Sequence, residues 1–131
     1  MYKVLSIQDD VMTRQIKLEN IITGTVDVCF DDSGLVEERN FEFMELQKQY
    51  QCKIKLFGEI VEQKEDAILC NIIDKDIFVG KKSMIKVLVC SDEYYIPVDK
   101  VMDVINGDWF YYKISRKDLI QVNDIVHGDY L

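Results

Sequence analysis

The residues best suited to binding chemistry are aromatic residues and lysines that lie on the faces of predicted strands opposite the apolar faces. Around position 110, Trp109, Tyr111 and Lys113 fall on the face opposite the apolar one. If the predicted strands that carry such residues are neighbours in the sheet, their aromatic rings and lysines share an outer face. That face can stack single-stranded bases, or bind a sugar ring or an acidic protein. Alternatively, other elements cover the rings, because aromatic side chains are mostly buried. The candidate binding residues are Tyr95, Trp109, Tyr111, Lys113, Lys53, Lys55 and Lys86.

His127 is the single histidine, and Asp124 and Asp129 lie close to it in the chain. This grouping suggests a metal ligand set or a general base. A histidine so near a chain end is expected to be exposed and without a role. Because a Ser-His-Asp or Cys-His enzyme would have to use this residue, a nucleophilic hydrolase is disfavoured.

The four cysteines lack the spacing of a zinc site, since no Cys-x-x-Cys pair occurs. Cys52 and Cys70 share faces with apolar neighbours and are predicted in the core. Cys29 and Cys90 lie opposite their strands' main apolar faces, so either one of them is exposed and oxidisable or a second layer covers them. The N-terminal residues do not resemble a signal peptide, which predicts a cytoplasmic protein with reduced thiols.

Standard metal and phosphate motifs are missing from the sequence. The run 31–34, Asp-Asp-Ser-Gly, lacks the alternating ligands of a calcium loop and is predicted to be a turn. The six glycines form neither a dinucleotide-binding nor a Walker pattern. We therefore expect no metal and no cofactor.

Charge restricts the partners of the chain. The 131 residues include 16 Lys+Arg and 24 Asp+Glu, a net charge of −8, and the first 50 residues, with 10 acids and 5 bases, carry −5 of it. This balance disfavours duplex DNA as a partner, because DNA binding needs a basic surface. No apolar run approaches a membrane span, so no membrane association is expected. A basic protein partner suits this charge.

The fold class follows from 16 Ile and 14 Val against one Ala, since β-branched residues favour sheets and Ala favours helices. We predict one domain over 1–131, a mainly β fold forming a small antiparallel barrel or barrel-like sandwich, with one short helix near 98–105. In architecture alone, a helix before a long final strand resembles oligonucleotide/oligosaccharide-binding (OB) barrels. Among the strands, 22–30 is expected to face the core through Val26, Val28 and Phe30, and 35–43 to return as a hairpin arm.

Three functions remain open from the sequence. The first is a non-enzymatic module whose acidic surface recognises a protein, as inhibitors or immunity proteins do with basic targets. The second is an OB-like binder of single-stranded nucleic acid or oligosaccharide through the aromatic and lysine face. The third is an enzyme with dispersed acid/base residues, which requires a pocket holding converging polar groups with perturbed pKa values.

Overall fold

The computed structural model describes residues 1–35, 40–62, 64–101 and 107–131. These residues form ten strands, which confirms the prediction of a mainly β fold. The strands are β1 (Tyr2–Asp9), β2 (Arg14–Asn20), β3 (Val26–Asp31), β4 (Gln49–Tyr50), β5 (Cys52–Val61), β6 (Ile68–Val79), β7 (Lys82–Val89), β8 (Asp92–Pro97), β9 (Trp109–Val122) and β10 (Ile125–Val126). Within the described ranges, helical structure is limited to 3₁₀ turns at Ser33–Leu35, Val98–Lys100 and Gly128–Tyr130.

Five strands close into a ring, as the predicted barrel requires. The order is β9–β5–β8–β7–β6, and β6 pairs again with β9. All of these pairings are antiparallel except that of β5 with β8, which is parallel. The 14-residue strand β9 therefore joins both sides of the barrel. Full closure removes the exposed edges that promote aggregation.

The N-terminal strands extend the same sheet away from the barrel. They follow the order β4–β1–β2–β3, and β3 lies parallel to β9 with Phe30 opposite Asp118. Buried residues of this sheet, such as Val4, Ile16 and Leu18, belong to the same apolar cluster as the barrel residues Leu56 and Tyr112. A continuous core thus connects the two parts of the sheet.

The faces of β3 are opposite to those predicted. Val26 and Val28 are 46% and 52% exposed, whereas Asp27, Cys29 and Asp31 are at most 2% exposed. The sequence-based expectation assumed that the apolar face of β3, with Val26 and Val28, is the buried one. Hydrogen bonds and charge pairing offset the cost of burying the two aspartates, and Cys29 takes a core position between them.

The predicted return arm over 35–43 is also wrong for the residues that the structure describes. Residues 33–35 form a 3₁₀ turn and 40–43 are not in a strand, while 36–39 lie outside the described residues. Ser33 explains the local path, because its hydroxyl accepts a hydrogen bond from the Phe41 amide at 2.8 Å. That bond folds Phe41 into the core instead of into a strand.

The predicted helix near 98–105 has a different form where it is described. Val98–Lys100 is a 3₁₀ turn that follows Pro97, and residues 102–106 lie outside the described part of the chain. No helix among the described residues has the length and apolar character of a membrane span.

Three strands of the barrel are long, with 10 residues in β5, 12 in β6 and 14 in β9. β5 runs through Gly58 with a register shift against β9, and a Cβ at Gly58 would lie 2.0 Å from the Lys113 carbonyl oxygen. A side chain there would force the two strands apart, so the glycine permits β5 to continue as one strand. β6 likewise continues through 74–76, a run of alternating aspartate and lysine that resembles a turn in sequence, with register shifts against β7 on both sides of Asp74.

Candidate functional site

Charged residues and rings form one row across the outside of the barrel. Asp118 on β9 is opposite Lys55 on β5, and Lys55 is opposite Tyr95 on β8. Tyr95 is opposite Lys86 on β7, which in turn is opposite Asp74 on β6. Because residues in register share a face of the sheet, the row brings together three of the predicted binding residues.

Tyr95 lies at the centre of this row, but its ring is covered. It is 5% exposed and packs in a second apolar cluster with Val79, Met84, Ile120 and Tyr130. The ammonium groups of Lys53 and Lys86 lie 5.6 and 5.9 Å from the ring centroid. Burial raises the pKa of the Tyr95 hydroxyl. The ring is therefore a support for the lysines and is not open to stack a ligand.

Trp109 and Tyr111 form a separate surface at the start of β9. Trp109 is 56% exposed, and its ring meets Tyr111 edge-to-face at 5.5 Å. Lys113 follows on the same face and is exposed. Among the described residues, no cation–ring contact joins this pair to the lysines around Tyr95. The structure thus divides the predicted residues into two groups.

A cleft that the sequence did not single out opens beside the turn between β1 and β2. Its volume is about 390 Å³, and it lies between this turn and the segment containing the 3₁₀ turn at Ser33–Leu35. The two sides approach closely, since a Cβ at Gly34 would lie 3.1 Å from the Met12 carbonyl oxygen. The lining residues are Asp9, Asp10, Met12, Thr13, Arg14, Asp31, Gly34 and Glu42.

Arg14 is already engaged within this cleft. Its guanidinium donates twice to Asp31 Oδ2, at 3.0 and 2.9 Å, and once to the Phe41 carbonyl oxygen at 2.6 Å. The Arg14–Asp31 ion pair is largely buried, and its opposite charges offset each other. Asp9, Asp10 and Glu42 are exposed and form no ion pair with a described residue. Among the residues that the structure describes, the charge of the cleft that has no ion-pair partner is therefore negative.

Two exposed apolar side chains stand at the tip of the same turn. Val11 and Met12 are 85% and 56% exposed, and Met12 adopts a positive φ of 63°. Asp10 fixes the turn, because its Oδ1 accepts a hydrogen bond from the Val11 amide at 2.8 Å. Negative charge beside exposed apolar side chains is a combination suited to protein recognition. The sequence signal was the acidic first third of the chain together with the Asp9–Asp10 pair.

His127 is buried, contrary to the expectation that it is exposed and without a role. Its Nδ1 accepts a hydrogen bond from the Asp129 amide at 3.0 Å, which leaves Nε2 to carry the proton and donate to Asp32 at 2.6 Å. Asp32, His127 and Asp129 are close enough to hold a metal ion. Both ring nitrogens already have partners, however, so the group acts as a latch between the C-terminal segment and the loop after β3.

The latch holds the C-terminal segment against the barrel. The Tyr130 carbonyl oxygen accepts a hydrogen bond from the Lys81 amide at 2.6 Å. Gly80, with a φ of +58°, permits this contact, because a Cβ there would lie 2.1 Å from the same oxygen. The docked segment places the Tyr130 ring over the second apolar cluster.

Comparison of the chain with protein-family models, with curated proteins and with solved structures found no match.

Proposed function

We propose that this protein is a non-enzymatic binding module that recognises a basic protein partner through the cleft beside the β1–β2 turn. The observation that carries the proposal is the set of three exposed carboxylates around an open cleft of about 390 Å³, Asp9, Asp10 and Glu42, none of which forms an ion pair with a residue that the structure describes. A lysine or arginine side chain entering the cleft gains charge-assisted hydrogen bonds without displacing Arg14 from Asp31.

The apolar tip of the turn supports a protein as the partner. Val11 and Met12 would be covered when a surface docks over the cleft, and burying apolar area favours association. The surrounding charge increases the rate at which a basic partner arrives.

An NMR titration with N-acetyl-arginine amide tests this proposal. We expect saturable amide shifts centred on residues 9–14 and 42, and weak or no shifts with N-acetyl-glutamate amide. Shifts spread evenly over the protein, or of equal size for both probes, would reject the cleft as the recognition site.

A second candidate function is stacking of a single-stranded nucleic acid or a sugar on Trp109 and Tyr111. The exposure of Trp109, at 56%, favours it. Titration with oligothymidylate should quench the Trp109 fluorescence at low salt and less so at high salt. No quenching at low salt would eliminate the nucleic-acid form of this candidate. The predicted roles of Lys53, Lys55 and Lys86 in such binding stay predictions, as does the enzyme alternative, whereas the ring of Tyr95 is buried and is not part of this stacking surface.

A further inference from the structure

Cations gather around one exposed ring on the barrel, although the chain as a whole is acidic. Phe57 is 42% exposed, and three cationic groups lie near its centroid: Arg116 at 5.2 Å, Lys100 at 5.8 Å and Lys55 at 6.0 Å. This ring therefore marks a local concentration of positive charge on the barrel surface. Asp118 compensates part of this charge by pairing with both Arg116 and Lys55.

A small cavity adjoins this cluster. It has a volume of about 110 Å³ and is bounded by side chains that include Lys55, Phe57, Lys82, Asp99, Lys100 and Tyr130. Three ammonium groups and one carboxylate give it a net charge of +2. Lys82 and Lys100 are exposed, and neither forms an ion pair with a described residue. Within the described part of the chain, the cavity thus has two lysines, Lys82 and Lys100, whose charges no carboxylate pairs.

Lys55 is fixed in position at the inner wall of this cavity. Its ammonium lies 3.4 Å from Asp118 and 5.7 Å from the Tyr130 ring centroid. Burial acts to lower the pKa of Lys55, but the interactions with Tyr130 and Asp118 outweigh burial and raise it. The cavity therefore has one lysine held in position, Lys55, beside the two exposed lysines Lys82 and Lys100.

We propose that this cavity binds a multiply charged phosphate anion, as inorganic phosphate or as the phosphate of a small phosphorylated ligand. Three lysines around one small space favour a dianion over a carboxylate, because each added charge gains from every ammonium group. The volume equals that of roughly three to four water molecules, which accommodates one phosphoryl group. This site is independent of the acidic cleft and takes ligands of the opposite charge.

The test is an NMR titration with pyrophosphate, inorganic phosphate and acetate at constant ionic strength and pH 7.5. We expect saturable shifts at residues 55–58, 82 and 98–100, with the affinity decreasing from pyrophosphate to phosphate to acetate. The double variant Lys82→Ala/Lys100→Ala should weaken pyrophosphate binding by about tenfold or more, since it removes two charge-assisted contacts.

The matched control is Lys17→Ala/Lys64→Ala, which removes the same charge from exposed lysines outside the cavity. This variant should bind pyrophosphate within about twofold of the wild type, as expected for distant exposed charges. Equal weakening in both double variants would show general charge attraction and would overturn the proposal, as would the lack of saturable shifts. Tighter binding of oligothymidylate than of pyrophosphate, lost in Lys82→Ala/Lys100→Ala, would also overturn it in favour of a nucleic-acid backbone.

Discussion

The Tyr94 hydroxyl donates a hydrogen bond to Asp27 Oδ2 at 2.7 Å, across the junction between the N-terminal sheet and the barrel. The second Asp27 oxygen pairs with the Lys117 ammonium. Asp27 is 2% exposed, so its charge depends on these two partners. The contact explains why β3 turns aspartate inward and valine outward.

Replacing Asp27 with alanine should lower the free energy of unfolding by about 3 kcal/mol, because the half-buried Lys117 ammonium and the buried Tyr94 hydroxyl lose their shared acceptor. Urea denaturation at pH 7 measures this change. The control Asp9→Ala removes an exposed carboxylate and should shift the free energy of unfolding by less than about 0.5 kcal/mol. A similar small change for Asp27→Ala would show that the junction does not depend on this residue.

Asp27 also illustrates which buried faces can be predicted from the sequence and which cannot. In β2, β5 and β9 the alternation in sequence matches the structure, because one face of each strand is clearly apolar and Ile16, Ile54 and Tyr112 on these faces are buried. In β3 the alternation is just as clear but predicts the wrong face, because partners distant in the chain stabilise the two buried aspartates while Val26 and Val28 are exposed. Asp27 is 67 residues from Tyr94, and no local pattern reports such a pair.

The candidate site was less predictable than the fold for the same reason. Alternation with neighbouring residues predicted that Trp109 and Tyr111 lie opposite the apolar face of their strand, and the structure places them on the outer face. Tyr130 packs in the same apolar cluster as Tyr95, and the rings of Phe41 and Tyr130 pack against His127. Both depend on how the C-terminal segment docks, which no periodicity in the sequence encodes.

The four free cysteines should differ sharply in reactivity. Cys90 is exposed, whereas burial raises the pKa of Cys52 and Cys70 to about 12 and that of Cys29 well above its usual value. Because the thiolate is the reactive form, one thiol per chain should react rapidly with Ellman's reagent at pH 8, and four after denaturation. The variant Cys90→Ser should abolish the rapid phase. Two or more rapid thiols in the native protein would contradict the placement of Cys52 or Cys70.

Stability should decrease at alkaline pH. The pKa of Cys70 is about 12 in the folded protein against 9.0 for an ordinary thiol, so the folded state holds its proton more tightly. This contribution is fully present below pH 9 and is lost as the pH rises from 9 towards 12. Cys52 and Tyr112, both raised to about 12, act in the same direction.

Urea midpoints at pH 8 and pH 10.5 measure this effect, and we expect a loss of roughly 1 kcal/mol or more. In the variant Cys70→Ala the loss between the two pH values should be smaller, whatever its stability at pH 8. Equal stability of the wild type at both pH values would contradict the burial of these groups.

The His127 latch should control opening of the C-terminal segment. Replacing Asp32 with alanine removes the acceptor for the Nε2 proton, and Asp32→Asn keeps an oxygen there. Hydrogen exchange of the Lys81 amide, which is bonded to Tyr130, should accelerate by about tenfold in Asp32→Ala and less in Asp32→Asn. Unchanged exchange in both variants would show that Asp32 does not hold the segment.

The central claim, that the cleft beside the β1–β2 turn recognises basic side chains, is tested most directly by calorimetric titration with a hexa-arginine peptide. The triple variant Asp9→Asn/Asp10→Asn/Glu42→Gln removes three charges from the cleft, and Glu65→Gln/Asp66→Asn/Asp124→Asn removes three from exposed positions elsewhere. We expect the cleft variant to bind the peptide about tenfold more weakly than this matched control, because it loses charge-assisted contacts. Equal affinities of the two variants would contradict the claim.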